Sequence, residues 1–278
     1  MFRHFFMKLE HLERAFGCIG ARLQLVDPIR SGWGYARVKG YSLDIGHDQA
    51  GQFFALRGEI EELAKVEFTV LQRKDNERHL LLLAKPGGDR KDRFLCGHDE
   101  REWFVAAIPG TASTVMQAKE ALKPAPVREA QARKSLNSRQ ANTRHNAAFR
   151  RQGEWFFLPV EQSLVVDTRL ILRWEPISRG RGSKPHRVEQ VYRTGGEVVY
   201  VCTQHPAGLT KDQYASLLRR NPKAARWSWR EARRNAGVYA RGAVRHPDHA
   251  TIVLRDWHQV VMNTEHQAPS MRSLAFID

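Results

Sequence analysis

Cysteine is scarce in this chain: Cys18, Cys96 and Cys202 are the only three in 278 residues. An odd and sparse set excludes a disulfide framework and fits a reducing compartment. Long apolar runs are missing too. The richest, Leu80-Leu81-Leu82-Leu83-Ala84, is strand-sized and well short of the roughly 18 residues needed to span a bilayer. Charges interrupt the apolar residues of Met1-Phe2-Arg3-His4-Phe5-Phe6-Met7-Lys8, which therefore lacks the apolar stretch of a secretory signal. These absences predict a soluble cytoplasmic protein without a membrane partner. No fixed-period repeat, no strand–GxxxxGK[ST]–helix unit, and no RNP, KH, zinc-finger or helix-turn-helix signature can be read.

The most informative shortage is of acid in the second half. Residues 1–118 carry 17 Lys+Arg against 16 Asp+Glu, whereas residues 119–278 carry 28 against 14. A solvated globular surface normally mixes both signs, so a strongly basic half joined to a near-neutral one points to a polyanionic partner. The apolar content of 42% and seven Trp argue against disorder.

Short alternating or apolar runs separated by Gly, Pro and charged turns recur in both halves. They predict an α+β fold with mostly short antiparallel strands in two β-rich units and a few helices. A near-neutral domain with terminal helices is expected over 1–122, a basic connector over 123–152, and a basic domain with two inserted helices over 153–278. The connector follows from the few large apolar residues there, Val127, Leu136 and Phe149. Gly195-Gly196 reads as a hairpin turn. Thr210-Lys211-Asp212-Gln213 reads as a capping box opening a helix that ends before Pro222. A further helix is expected from about Lys223 to Asn235, and His98–Trp103 reads as a helix start or a site at a sheet edge.

Laid out at 100° per residue, Arg226, Arg230, Arg233 and Arg234 form one stripe on that last helix, with Trp227 at its border where an indole can stack on a base. With Arg219 and Arg220 they are the candidate phosphate contacts. Arg128, Arg133, Lys134, Arg139, Arg144, Arg150 and Arg151 of the connector join them, as do Arg179, Arg181 and Lys184 of a Gly-containing loop. The alternative for each is a solvated face whose cations pair with carboxylates. The expectation is binding of RNA or DNA, with an acidic protein or ribonucleoprotein as the other partner class.

Cys96-Gly97-His98 and Cys202-Thr203-Gln204-His205 each follow an apolar run. Cys96, His98, Cys202 and His205 form a complete ligand set for tetrahedral zinc, the one cofactor candidate; the alternative is two buried cysteines with incidental histidines. His246-Pro247-Asp248-His249 resembles the last four positions of the His-x-His-x-Asp-His metal motif of metallo-β-lactamase-type hydrolases. Val244 stands where that motif has its first His, and only 29 residues follow His249, so a turn between two strands is the simpler reading. A metal-dependent nuclease or phosphoester hydrolase is the alternative function. Its catalytic candidates are His246, Asp248, His249 and His258, with Glu154 or Asp256 as further acids.

Overall fold

The computed structural model describes residues 2–27, 40–160, 164–178 and 184–268. They form two compact units, the first running to Pro124 and resuming at Asn263, the second spanning Ala125–Met262. Six helices and sixteen strands lie among the described residues, and antiparallel pairing dominates. No described helix is long and apolar enough to cross a membrane.

The first unit opens with α1 (Phe2–Cys18), whose Phe5, Leu9, Leu12 and Phe16 recur at helical spacing and are all buried. A three-stranded sheet follows, from β1 (Leu23–Val26), β2 (Tyr41–Asp48) and β3 (Gly51–Gly58), in the order β1-β3-β2. After the single turn α2 (Ile60–Leu63) come β4 (Glu67–Lys74), β5 (His79–Lys85), β6 (Asp92–Asp99) and β7 (Glu102–Ala107), an antiparallel meander. The unbroken leucines of β5 are explained by burial on both faces: Leu80 and Leu82 join the α1 core, and Leu81 the core under α3 (Val115–Ala121). Thr114 caps α3 in a full capping box with Gln117. His98–Trp103 is a tight β6–β7 connection, with Glu100 at φ 51°, and not a helix start.

The second unit begins in the segment expected to be a connector. Within it α4 (Ala125–Arg133) and α5 (Ser138–Ala141) precede β8 (Arg150–Gln152), and β9 (Trp155–Pro159) follows. Val127, Ala130, Ala148 and Phe149 pack with Phe156 and Leu158 of β9. The apolar residues of 123–152 are few, but a strand of the second unit supplies the surface that orders them. The expected boundary therefore moves: this stretch is core.

Beyond it lie β10 (Leu172–Ile177), β11 (His186–Thr194), β12 (Glu197–Cys202), β13 (His205–Thr210), α6 (Lys211–Arg220), β14 (Arg230–Arg234), β15 (Gly237–His246) and β16 (His249–Met262). The large sheet runs β10-β11-β15-β16-β9-β8, the small one β13-β12-β14. Phe157, Val188, Val191, Ala240, Val244 and Leu254 fill the core on one face of the large sheet. β16 runs as one strand from His249 to Met262.

Gly195-Gly196 is not a hairpin turn. β11 and β12 lie in different sheets, and the strand opposite both is β14–β15: Thr194 faces Gly237 and Glu197 faces Arg234. One antiparallel ribbon thus passes from the large sheet to the small one in unchanged register. It bends at Gly195 (φ 71°), Gly196 (φ 76°) and Asn235 (φ 57°), conformations that Gly and Asn tolerate. A Cβ on Gly196 would come 2.8 Å from both Ala236 N and Arg234 O, so the opposing backbone needs that position bare.

Two measurements check this fold. Phe149→Ala removes a 2% exposed ring stacked edge-on at 5.0 Å from Phe156 and is expected to destabilise the second unit by about 3–5 kcal/mol in urea unfolding; a loss within about 0.5 kcal/mol would mean that the 123–152 stretch is a loose tether. In the first unit, Lys74 and then Lys119 hold the Glu77 carboxyl down from 4.5 to about 2 through hydrogen bonds of 2.8 and 2.9 Å. Its contribution is complete above pH 4.5 and is lost as pH falls towards 2. The Glu77→Gln protein should accordingly show a shallower loss of Tm over that window than the parent.

Candidate functional site

The small sheet and α6 present a run of aromatic rings. Thr210 caps α6 in a capping box with Gln213, which fixes the helix start and sets Tyr214 against Tyr200 of β12, ring centroids 4.5 Å apart and stacked. Tyr214 meets Trp229 edge-on at 4.8 Å. Trp229 stacks with His205 at 5.8 Å and with Trp227 at 5.9 Å. A 3-10 turn, Pro222–Arg226, holds this end in place: the carbonyl of the fully buried Ala224 accepts from Trp229 Nε1 at 2.8 Å and from the Trp227 amide at 3.1 Å. All five rings are half-buried.

The helix expected from Lys223 to Asn235 does not form. Arg230–Arg234 is strand β14, paired residue by residue with Val201–Glu197 of β12. Arg, Ala and Glu favour helix intrinsically, but five consecutive ladder positions beside a partly buried strand outweigh propensities of a few tenths of a kcal/mol per residue. The arginine stripe therefore does not exist as a helical face. In period two, Arg230 and Arg234 share one side of β14 and Arg233 takes the other.

Exposed cations border the rings. Arg219 and Arg220 end α6, Lys223 and Arg226 lie on the 3-10 turn, and Arg230 begins β14. Arg219, Lys223, Arg226 and Arg230 have no carboxylate partner among the described residues. Arg220 donates to Ser216 O and Arg233 to Gly195 O. Two expected phosphate contacts are already engaged, Arg234 with Glu197 at 2.5 Å and Lys184 with Asp248 at 2.7 Å. Arg128 and Arg133 are exposed on α4 and Arg139 on α5, as is Lys134 just after α4. Arg150 donates to Val253 O. Burial, and then repulsion from Arg151, lower the half-buried Arg144 guanidinium from 12.5 to about 10. Arg179 and Arg181 lie outside the described residues.

A second constellation was not legible as such. His186 begins β11, His246 ends β15, and His249 begins β16. Their rings stack, with centroids 4.2 Å apart for His186–His246, 4.7 Å for His246–His249 and 5.7 Å for His186–His249. One nitrogen from each lies within 4.8 Å of the other two. Register puts them together. Arg187 faces Arg245, which leaves His246 across from His186, and His246 faces His249 over the Pro247-Asp248 turn. That register depends on a bulge where Gly242 (φ 86°) and Ala243 stand against Glu189, whose carboxylate accepts from the Ala243 amide at 2.8 Å.

His186 is 1% exposed, and neither of its ring nitrogens has a hydrogen-bond partner. Burial first, and then the neighbouring His246 and His249, push its pKa from 6.5 down to about 3. A neutral imidazole buried with both nitrogens unmatched costs about 1–3 kcal/mol for each lost bond. Gln152, also 1% exposed, donates to Val244 O and Ala250 O on either side of the hairpin end, and its Oε1 has no partner. His246 is engaged on both nitrogens by long bonds, 3.1 Å from the Asp248 amide to Nδ1 and 3.2 Å between Nε2 and Lys184 O.

The other predicted chemistry disperses. Cys96 is fully buried in the first unit's core, where burial raises its thiol well above the usual range, so it packs there as a neutral small hydrophobe. His98 sits edge-on to Trp103 at 4.9 Å. Cys202 and His205 face each other across the β12–β13 turn of the second unit, and His205 gives its ring to the aromatic run. His258 faces Ala240 and Pro159. Nine residues along β16 separate it from His249, roughly 30 Å of extended strand. Its pKa is lowered chiefly by burial. Of the four catalytic candidates, the fold groups His246, Asp248 and His249 at one hairpin and leaves His258 elsewhere. No protein-family model, curated protein or solved structure matches the chain.

Proposed function

We propose that the second unit binds nucleic acid in single-stranded form. Bases stack on the aromatic run that ends at Trp227, and phosphates lie against Arg219, Arg220, Lys223, Arg226, Arg230 and Arg233. The carrying observation is the coincidence of half-buried rings with exposed cations, four of which have no carboxylate partner among the described residues. Every base has a face that an indole can stack on, and an uncompensated guanidinium beside it neutralises the adjoining phosphate. A duplex keeps its bases stacked on one another, so the rings favour an unpaired strand. The excess of 28 cations over 14 anions beyond residue 118 supports the same reading by drawing any polyanion to this half.

Labelled single-stranded RNA, single-stranded DNA and duplex, titrated at two salt concentrations, provide the test. Binding should favour the single strands and weaken steeply with salt. Arg226→Ala and Arg230→Ala should each flatten the slope of log affinity against log salt by about 0.7, and Trp227→Ala should weaken single-strand binding by roughly 5- to 150-fold. Circular dichroism serves as the control for folding. Absent or salt-independent binding, or affinity indifferent to all three substitutions, would overturn the proposal.

A further inference from the structure

We infer that His186, His246 and His249 form a binding site for a divalent transition-metal ion of the zinc class, held by three imidazoles with at least one coordination position left for water or another ligand. The inference stands apart from the nucleic-acid reading and uses none of its residues.

Three features carry it. First, the donors converge: three imidazoles from three adjacent strands bring one nitrogen each within 4.8 Å of the others. Tetrahedral zinc at about 2.0–2.1 Å from each nitrogen would draw them to roughly 3.3 Å apart. Second, the deepest member is unsatisfied, since His186 is 1% exposed with both nitrogens unmatched. An apolar side chain would fill that core position without this penalty, and a metal ion gives its nitrogen a partner that no protein group provides. Third, the backbone leaves room. Gly153, between β8 and β9 at φ 57°, comes so close that a Cβ there would lie 2.9 Å from His249 Nε2 and 3.3 Å from His186 Nε2. Both nitrogens therefore border the one space that a side chain at residue 153 would fill.

His246 gives up little on joining them. A metal on Nδ1 replaces the bond from the Asp248 amide and leaves Nε2–H donating to Lys184 O to orient the ring, the usual office of an outer-shell partner. Neutral imidazole is the ligating form, and neutral nitrogen donors without thiolates or carboxylates suit zinc, cobalt, nickel and copper rather than calcium or magnesium.

The test uses the full chain without a polyhistidine tag, stripped with chelator and titrated with Co²⁺ and Zn²⁺. One equivalent of Co²⁺ should bind and give the visible absorption of a low-symmetry nitrogen-ligated site, without a thiolate-to-metal charge-transfer band. Zn²⁺ should displace it and raise Tm. His249→Gln, on a half-buried position, and His186→Leu, which keeps the core filled, should each weaken zinc binding at least 100-fold and abolish the Tm rise. The Cys96→Ser/Cys202→Ser protein should bind as the parent does. Because His186→Leu relieves a buried unmatched group, its metal-stripped form should be at least as stable as the parent's, so that lost binding is distinguishable from lost folding. Gly153→Ala is expected to weaken the metal more than it lowers the Tm of the stripped protein. Absence of stoichiometric binding, a thiolate band, or unchanged affinity in the two histidine variants would overturn the assignment.

Discussion

One hydrogen-bonded register organises the second unit. The ribbon of β11 and β12 against β14 and β15 carries the histidine cluster at its first end. It crosses from one sheet to the other at Gly195-Gly196 and delivers Arg230 and the neighbouring tryptophans at its far end. Because the register is the same on both sides of the bend, both constellations lie along one ribbon, and the left-handed residues at the bend turn it from one sheet into the other. The unsatisfied nitrogens of His186 and the accessible rings around Trp227 are thus two ends of a single structural decision.

Legibility from the sequence followed the range of the forces involved. Local signals were sound where local energetics dominate. The Thr210–Gln213 capping box does open α6, and the runs punctuated by Gly, Pro and charged turns do become mostly short antiparallel strands in both units. Where a distant partner decides, the pattern misled. Arg230–Arg234 has helical propensity and becomes a strand because β12 lies beside it. Residues 125–152 have too little apolar surface to fold alone, and β9 provides what they lack. Gly195-Gly196 has the composition of a hairpin turn, but its two flanking strands pair elsewhere.

The candidate sites divide the same way. Trp227 and the arginines beside it were visible as types, whereas their arrangement around His205, Tyr214 and Trp229 was not, since those rings arrive from a strand and a helix separated in sequence. For the histidines, the His246–His249 spacing was noticed and read as a turn, which it is. What the turn accomplishes depends on His186, some sixty residues earlier, and on a bulge that moves the register by one. Cysteine drew attention to the wrong set, because a scarce residue looks informative even when, as at Cys96, it is only a good fit for a crowded core.

The bulge at Gly242 also decides which side chain meets His186. Removing that one residue would leave Ala243 alone against Glu189 and His246 still across from His186, whereas a ladder drawn straight with the residue kept would put Arg245 there. In that straightened ladder an imidazole would stand beside a guanidinium, a change of chemistry made by a one-residue slip of register and no substitution. The extra residue therefore matters through where its surplus is absorbed: taken up opposite Glu189, it leaves this corner of the sheet to three histidines.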